Sequence, residues 1–406
     1  MAEGAGRIYY GWYVVAAAFV VMLTGFAAAY SFSAFFPALQ HEFEASRASV
    51  SLVFSVGGAL YFWVGAISGP LSDRFGPKWV CLFGFCALGG GLVAAAFAPN
   101  LAVVYLGFGL GIGIGVGFTY VPAVGAVQPW FLRRRGFASG LAVSGIGVGT
   151  LVGPLIASAL IATVGWRDTF VALGLGAAVI GAMASLILQN DPSRRPGGLR
   201  DEATGTAAAV VSTGLRDALR TRPFVLLYAS AACLSFALFV PFVHLVPYAL
   251  DHGFTVATGA LVLGLVGVGS TVGRFLVGSV ADRFGRLDVY VCCFGGVAMT
   301  FFVWLLASEL VLLGVFAFVF GTFYGGFVAL APSVTVDYFG PKSAASIIGF
   351  LYSSVGIGTL LGPPFAGFVF DRLGGYDYAI VAGQYAAIIA TGLAMLLPDP
   401  KRWNAE

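Results

Sequence analysis

Apolar runs long enough to cross a bilayer follow one another along this chain, separated by short stretches that carry charge or turn residues. A helix needs about 20 apolar residues to span the hydrocarbon core. Twelve such runs occur, roughly at 11–36, 50–70, 78–97, 101–128, 137–163, 168–189, 222–250, 256–281, 288–308, 310–337, 343–371 and 376–397. The breaks carry their own signals: Pro37 to Ser46, Asp73 to Lys78, Pro99-Asn100, Arg133 to Gly136 and Gly165 to Asp168. One long polar stretch, 190–221, falls between the sixth and seventh runs and reads as a linker, with Leu215 to Arg220 able to form a short surface helix. The pattern predicts an all-α membrane protein of twelve transmembrane helices. It divides into a six-helix bundle at 1–189, a linker at 190–221 and a second six-helix bundle at 222–406.

Composition sharpens this. Hydrophobic residues make up 59% of the 406 positions and charged residues 10%, against about 25% charged in a soluble domain. Too few charges remain to face water, so the lipid bilayer is the expected solvent. A formal charge of +3 over this length is no basic footprint, and no nucleic-acid partner is expected. Cys81, Cys86, Cys233, Cys292 and Cys293 lie in apolar stretches without metal-ligand spacing and read as packing residues. With both termini placed inside, inner loops and tails hold 17 of the 21 Lys and Arg, and Arg47, Arg167 and Arg372 fall in outer loops. The positive-inside rule then puts both termini and the linker in the cytoplasm of a cell-membrane protein.

The chain also repeats. Gly69-Pro-Leu-Ser-Asp73-Arg74-Phe75-Gly76 returns as Gly278-Ser-Val-Ala-Asp282-Arg283-Phe284-Gly285, and Gly149-Thr-Leu-Val-Gly153-Pro154 returns as Gly358-Thr-Leu-Leu-Gly362-Pro363. Both pairs are 209 residues apart, which predicts two halves in parallel orientation with a substrate site where they meet near the midplane. Gly107 to Gly117 places a glycine at every second position, giving stripes 107/111/115 and 109/113/117 on an apolar helix. With no preceding strand and no acidic ribose partner, this is helix packing and not a nucleotide loop.

Gly69-x-Leu71-x-Asp73-Arg74-x-Gly76-x-Lys78 resembles the loop motif of the major facilitator superfamily, with a weaker copy at Asp282-Arg283. Trp130-Phe131-x-Arg133-Arg134-Arg135-Gly136-x-Ala138-x-Gly140-Leu141-Ala142-x-Ser144-Gly145 resembles the fifth-helix motif of the monocarboxylate transporters and the related oxalate/formate exchangers. Tyr10-Gly11-Trp12 is similar to their first-helix start. The resemblance implies that Asp73, Arg74, Asp282 and Arg283 form a conformational latch closing the inner side in one state. Physically, a carboxylate at a helix end can favour the N-terminus of a neighbour, and the cations can pair with inner carboxylates.

Arg274 stands out among the candidate site residues. It lies inside the eighth run, ~12 Å from its inner edge, where insertion costs about 2.5–3.5 kcal/mol. The equivalent first-half position is Gly65, so packing shared by the halves does not account for the charge. Its planar fork suits a carboxylate held by two parallel hydrogen bonds; the alternative is snorkelling or a structural pair with a carboxylate. The monocarboxylate transporters carry a substrate-linked Arg in this helix. Ser270 stands one turn earlier, where many of them have Asp, and the first-helix Lys that some have is also absent. His244 can donate to a carboxylate or handle a proton, or can be a core histidine bonded to a carbonyl. Tyr30, Tyr120 and Tyr324, in the first, fourth and tenth runs, can offer hydroxyls to a small hydroxy acid or serve as interfacial belt residues.

These features predict a secondary transporter, not an enzyme, moving a small monocarboxylate such as lactate or pyruvate with a proton by alternating access. It needs no cofactor, metal or obligatory protein partner. The alternatives are an oxalate/formate-type anion exchanger and a transport-inactive membrane sensor of the same fold.

Overall fold

The computed structural model describes residues 9–131, 135–189, 214–340 and 344–403, and among these every regular element is helical. The spanning helices are α1 (Tyr10–Glu42), α2 (Arg47–Phe75), α3 (Pro77–Ala96) and α4 (Leu101–Trp130). Arg135–Ile187 comprises two helices separated by a break at Gly165, whose φ of 82° is open to glycine at little steric cost. Its two arms are α5 and α6. The second half holds α7 (Arg222–Asp251), α8 (Val256–Phe284), α9 (Arg286–Leu305), α10 (Leu310–Phe339), α11 (Ala344–Leu373) and α12 (Asp377–Met395). Twelve spans result among the described residues, as the apolar runs predict. A short helix at Leu215–Ala218 precedes α7; residues 190–213 of the expected linker lie outside the described residues, as do Arg133 and Arg134 of the fifth-helix motif.

Local signals set the helix starts. Ser46, Asn100, Thr221 and Thr255 each accept a hydrogen bond from the backbone N–H three residues on, occupying donors that an isolated helix leaves open. Both described termini emerge at one end of the bundle, here the terminal end; the α1–α2, α5–α6, α7–α8 and α11–α12 turns lie at the opposite, far end.

Small residues set the packing. On α4, Gly107, Gly111 and Gly115 face Gly91, Ala95 and Leu88 of α3, while Gly109, Gly113 and Gly117 face Val56, Leu60 and Val64 of α2. The two stripes read from the sequence thus serve two neighbours. A Cβ on Gly153 would collide with the Ala27 carbonyl of α1, and one on Gly362 with the Phe236 carbonyl of α7. Positions 27 and 236 are again 209 apart, so the sequence repeat is also a repeat of helix contacts. The halves meet chiefly along two pairs, α2 with α11 and α5 with α8, with a smaller contact between α1 and α7. At the second crossing a Cβ on Gly267 would strike the Gly147 carbonyl. Large apolar side chains such as Met183, Met299, Val311 and Ile389 point outward, as a lipid-facing surface requires.

Candidate functional site

Between the halves, midway along the spans, lies a cavity of about 40 Å³. Phe26, Tyr61, Phe62, Tyr120 and Ile146 line it from the first half, and Leu238, Phe239, Tyr324, Phe327, Val328, Tyr352 and Val355 from the second. A water needs roughly 10–15 Å³ of such space, so the enclosed volume suits a small solute. Ile146 and Val355 occupy equivalent positions of the two halves.

Local sequence explains how α8 brings its charge beside this cavity, near the lining residues Tyr120, Tyr324 and Tyr352. Gly267 and Thr271 pack on Gly147 of α5, and Gly269 and Gly273 pack on the backbone of Phe318 and Thr322 of α10. Residues four apart share a helix face, so Ser270 and Arg274 stand together on the face between those contacts. Arg274 is only 7% exposed. Its Nε and both terminal nitrogens are buried without a hydrogen-bond partner, and among the described residues no carboxylate pairs with it. Its electrostatic neighbours are the hydroxyls of Tyr324, Tyr120, Tyr30 and Tyr352. Tyr30 and Tyr324 approach each other across the halves, oxygen to oxygen, at 3.4 Å. The Ser270 and Tyr61 hydroxyls are likewise buried without a partner. A lone buried guanidinium beside this aromatic-walled cavity, with tyrosine hydroxyls as its electrostatic neighbours, can hold one anionic group, and among the described residues no second charge accompanies it.

Of the site residues expected from sequence, Arg274, Ser270, Tyr30, Tyr120 and Tyr324 are thus brought into one region. His244 is placed elsewhere. It is fully buried in the far half of α7, where Nε2 faces the Pro363 carbonyl at 2.8 Å and Nδ1 faces the Tyr376 hydroxyl at 2.9 Å. A carbonyl only accepts, so Nε2 carries the proton and Nδ1 accepts from Tyr376. The same hydroxyl accepts from Arg47, whose guanidinium grips both oxygens of Asp251 at 2.6 and 2.7 Å and lies 3.7 Å from the Phe370 ring centre. Arg47 belongs to the first half and its partners to the second, so this network joins the halves at the far end. Beyond it opens a cleft of about 660 Å³ lined partly by Pro37, His41, Glu44, Arg47 and Asp251.

At the terminal end, Asp73 makes no hydrogen bond or ion pair with another described residue, and Arg74 lies 5.2 Å over its own neighbour Phe75. Arg283 lies 5.6 Å over Phe284, while the Asp282 side chain is outside the described residues. Sequence reasoning missed Tyr61 and Tyr352, two of the sixteen tyrosines of the chain. It also assigned Arg47 to a loop, although that residue closes the far end.

The family description Major Facilitator Superfamily matches residues 17–286 and again residues 231–406. The chain belongs to the Major Facilitator Superfamily. Within that superfamily it groups with monocarboxylate transporters. It is 28% identical to monocarboxylate transporter 12 of Rattus norvegicus over 97% of this chain and 87% of that one. It is 30% identical to monocarboxylate transporter 11 of Mus musculus over 96% of this chain and 89% of that one. Among solved structures, a bacterial homolog of the human lysosomal transporter Spinster superposes with a TM-score of 0.73 at 18% identity, covering 97% of this chain and 98% of that one; the likeness shows the shared fold. Membership in this superfamily makes the chain an integral, multi-pass membrane protein of a transporter family, as its apolar helices require.

Proposed function

We propose that this superfamily member is a secondary carrier that moves a small monocarboxylate, lactate- or pyruvate-like, together with a proton by alternating access. The terminal end faces the cytoplasm, in keeping with the distribution of basic residues. One observation carries the reading: a buried guanidinium with three unpartnered nitrogens. An isolated buried charge is costly, and a carboxylate docked in the planar fork removes that cost on arrival. Tyr30, Tyr120 and Tyr324 then supply hydroxyl contacts from both halves, so a bound anion draws the halves onto one another. A single cation suits one carboxylate and leaves a second unpaired. Relatives named monocarboxylate transporters point to the same substrate class.

In this proposal Asp73, Arg74, Asp282 and Arg283 close the cytoplasmic side in the opposite state, and His244 serves far-end closure and not substrate contact. The test is titration of purified, monodisperse protein with lactate and pyruvate, alongside uptake into proteoliposomes with and without an inward proton gradient. Saturable binding, lost in folded Arg274→Gln, is the expected result. Near wild-type affinity in that variant would end the assignment, and uptake indifferent to the proton gradient would end the coupling.

A further inference from the structure

A third Asp-Arg-x-Gly stands in the chain besides the two in the repeated loops: Asp371-Arg372-Leu373-Gly374. All three copies finish a helix the same way. The glycines Gly76, Gly285 and Gly374 have φ of 84°, 104° and 73°, and each N–H returns to the carbonyl four residues back. The first two copies end α2 and α8 at the terminal end, whereas the third ends α11 at the far end.

Asp371 is engaged. Its Oδ1 accepts from the Arg47 N–H and its Oδ2 from the Ala48 N–H, both at 2.9 Å. Those are the first two amides of α2, and the third, on Ser49, goes to the Ser46 hydroxyl. Every open donor of the α2 start before the first helical bond, Val50 to Ser46, is therefore satisfied, two of the three by a carboxylate of the other half.

The helix pair extends the argument. α2 and α11 run antiparallel, with contacts at Arg47–Asp371, Ala48–Gly367, Gly58–Thr359, Ala59–Gly356 and Trp63–Ser353. The residue numbers of each pair add to between 415 and 418. Continuing that register carries Asp73 opposite Ala344, the first described residue of α11. Each helix thus ends in an aspartate aligned with the start of its partner. One of these caps is made; at the other end Asp73 bonds no described residue.

We propose that Asp371 is a positioning residue for transport: it holds the far end shut by capping α2, and it alternates with Asp73, which caps α11 when the terminal end closes. Only one cap forms at a time, because the helices pivot between their ends. The inference rests on the alternating-access reading above.

Hydrogen–deuterium exchange by mass spectrometry on the full chain in nanodiscs tests it. Asp371→Asn weakens the cap, so far-end peptides spanning 44–50 and 365–378 should exchange several-fold faster, while terminal-end peptides spanning 66–80 exchange more slowly. Asp73→Asn should give the reverse pattern. A merely structural role for Asp371 gives faster exchange at the far end with no slowing at the other, and that result, or no change, overturns the proposal. Should Asp371→Asn fail to fold, Ala48→Pro removes one donor within the first turn of α2, where no intrahelical hydrogen bond is lost, and the same reciprocal shift is required of it. If Asp73→Asn also produces no reciprocal shift, alternating access itself fails; if it does and the Asp371 variants do not, only the role of Asp371 fails.

Discussion

Arg274 separates two kinds of attraction. Electrostatics alone would be content with any cation at that position, but the fork geometry is not reproduced by an ammonium. Arg274→Lys keeps the net charge and should still weaken lactate or pyruvate binding by about 2–5 kcal/mol, roughly 30-fold or more. Calorimetric titration of folded variants reads this directly; a Lys variant within a few-fold of wild type would mean that charge, not geometry, holds the substrate. The residue was legible in the sequence because a charge in an apolar run at a position where the other half has Gly65 admits few explanations. The tyrosines were less so. Nothing in an apolar run distinguishes Tyr61 and Tyr352, which reach the cavity, from Tyr385, which is 64% exposed on the outer surface of α12. Only the rotation of each helix, fixed by packing, decides which of them face inward.

At the scale of elements, hydropathy located all twelve spans because a bilayer demands the same apolar length of each. It placed the break between α5 and α6 at Gly165 to Asp168, but it did not foresee the positive φ of Gly165 or the π turn at Tyr105–Leu110 of α4. Both depend on backbone geometry more than on polarity. Gly165→Ala forces a left-handed conformation on a residue with a Cβ, a cost of about 1–2 kcal/mol. A few degrees' fall in the unfolding temperature, with substrate affinity unchanged, is the expected result, and an unaltered melt would show that the turn relaxes freely. Gly267→Val should be more severe for function than for folding. The α5–α8 crossing joins two separate bundles, so each half can pack while the pair is wedged apart. Monodisperse protein with greatly reduced uptake is expected; full uptake would show that the crossing tolerates the added bulk.

For the whole molecule, the 209-residue repeat made the two-half architecture readable in advance, whereas the far-end network was hidden. Arg47, Asp251 and the Asp371–Tyr376 turn are far apart in sequence, and their residues belong to four different helix ends, so each alone resembles an ordinary boundary residue. Their chemistry exists only once the halves meet. The charge balance of the whole cycle gives a further prediction. One proton carried with one monoanion moves no net charge across the membrane. Uptake driven by a fixed pH gradient should therefore ignore a potassium-diffusion potential; accumulation driven by that potential without a pH gradient would require another stoichiometry.

The unpaired state of Arg274 bears on the return journey. A carrier crossing empty takes a bare guanidinium through its occluded form, at a penalty set by the missing hydrogen bonds. A carrier crossing loaded does not. Reorientation without cargo is then the slow leg, and substrate supplied on the opposite side relieves it. Preloading vesicles with unlabelled pyruvate should accelerate the entry of labelled pyruvate several-fold over entry into empty vesicles. Equal rates would mean that the vacant site finds another counter-ion, such as chloride, and replacing chloride with a bulky anion would then bring the acceleration back.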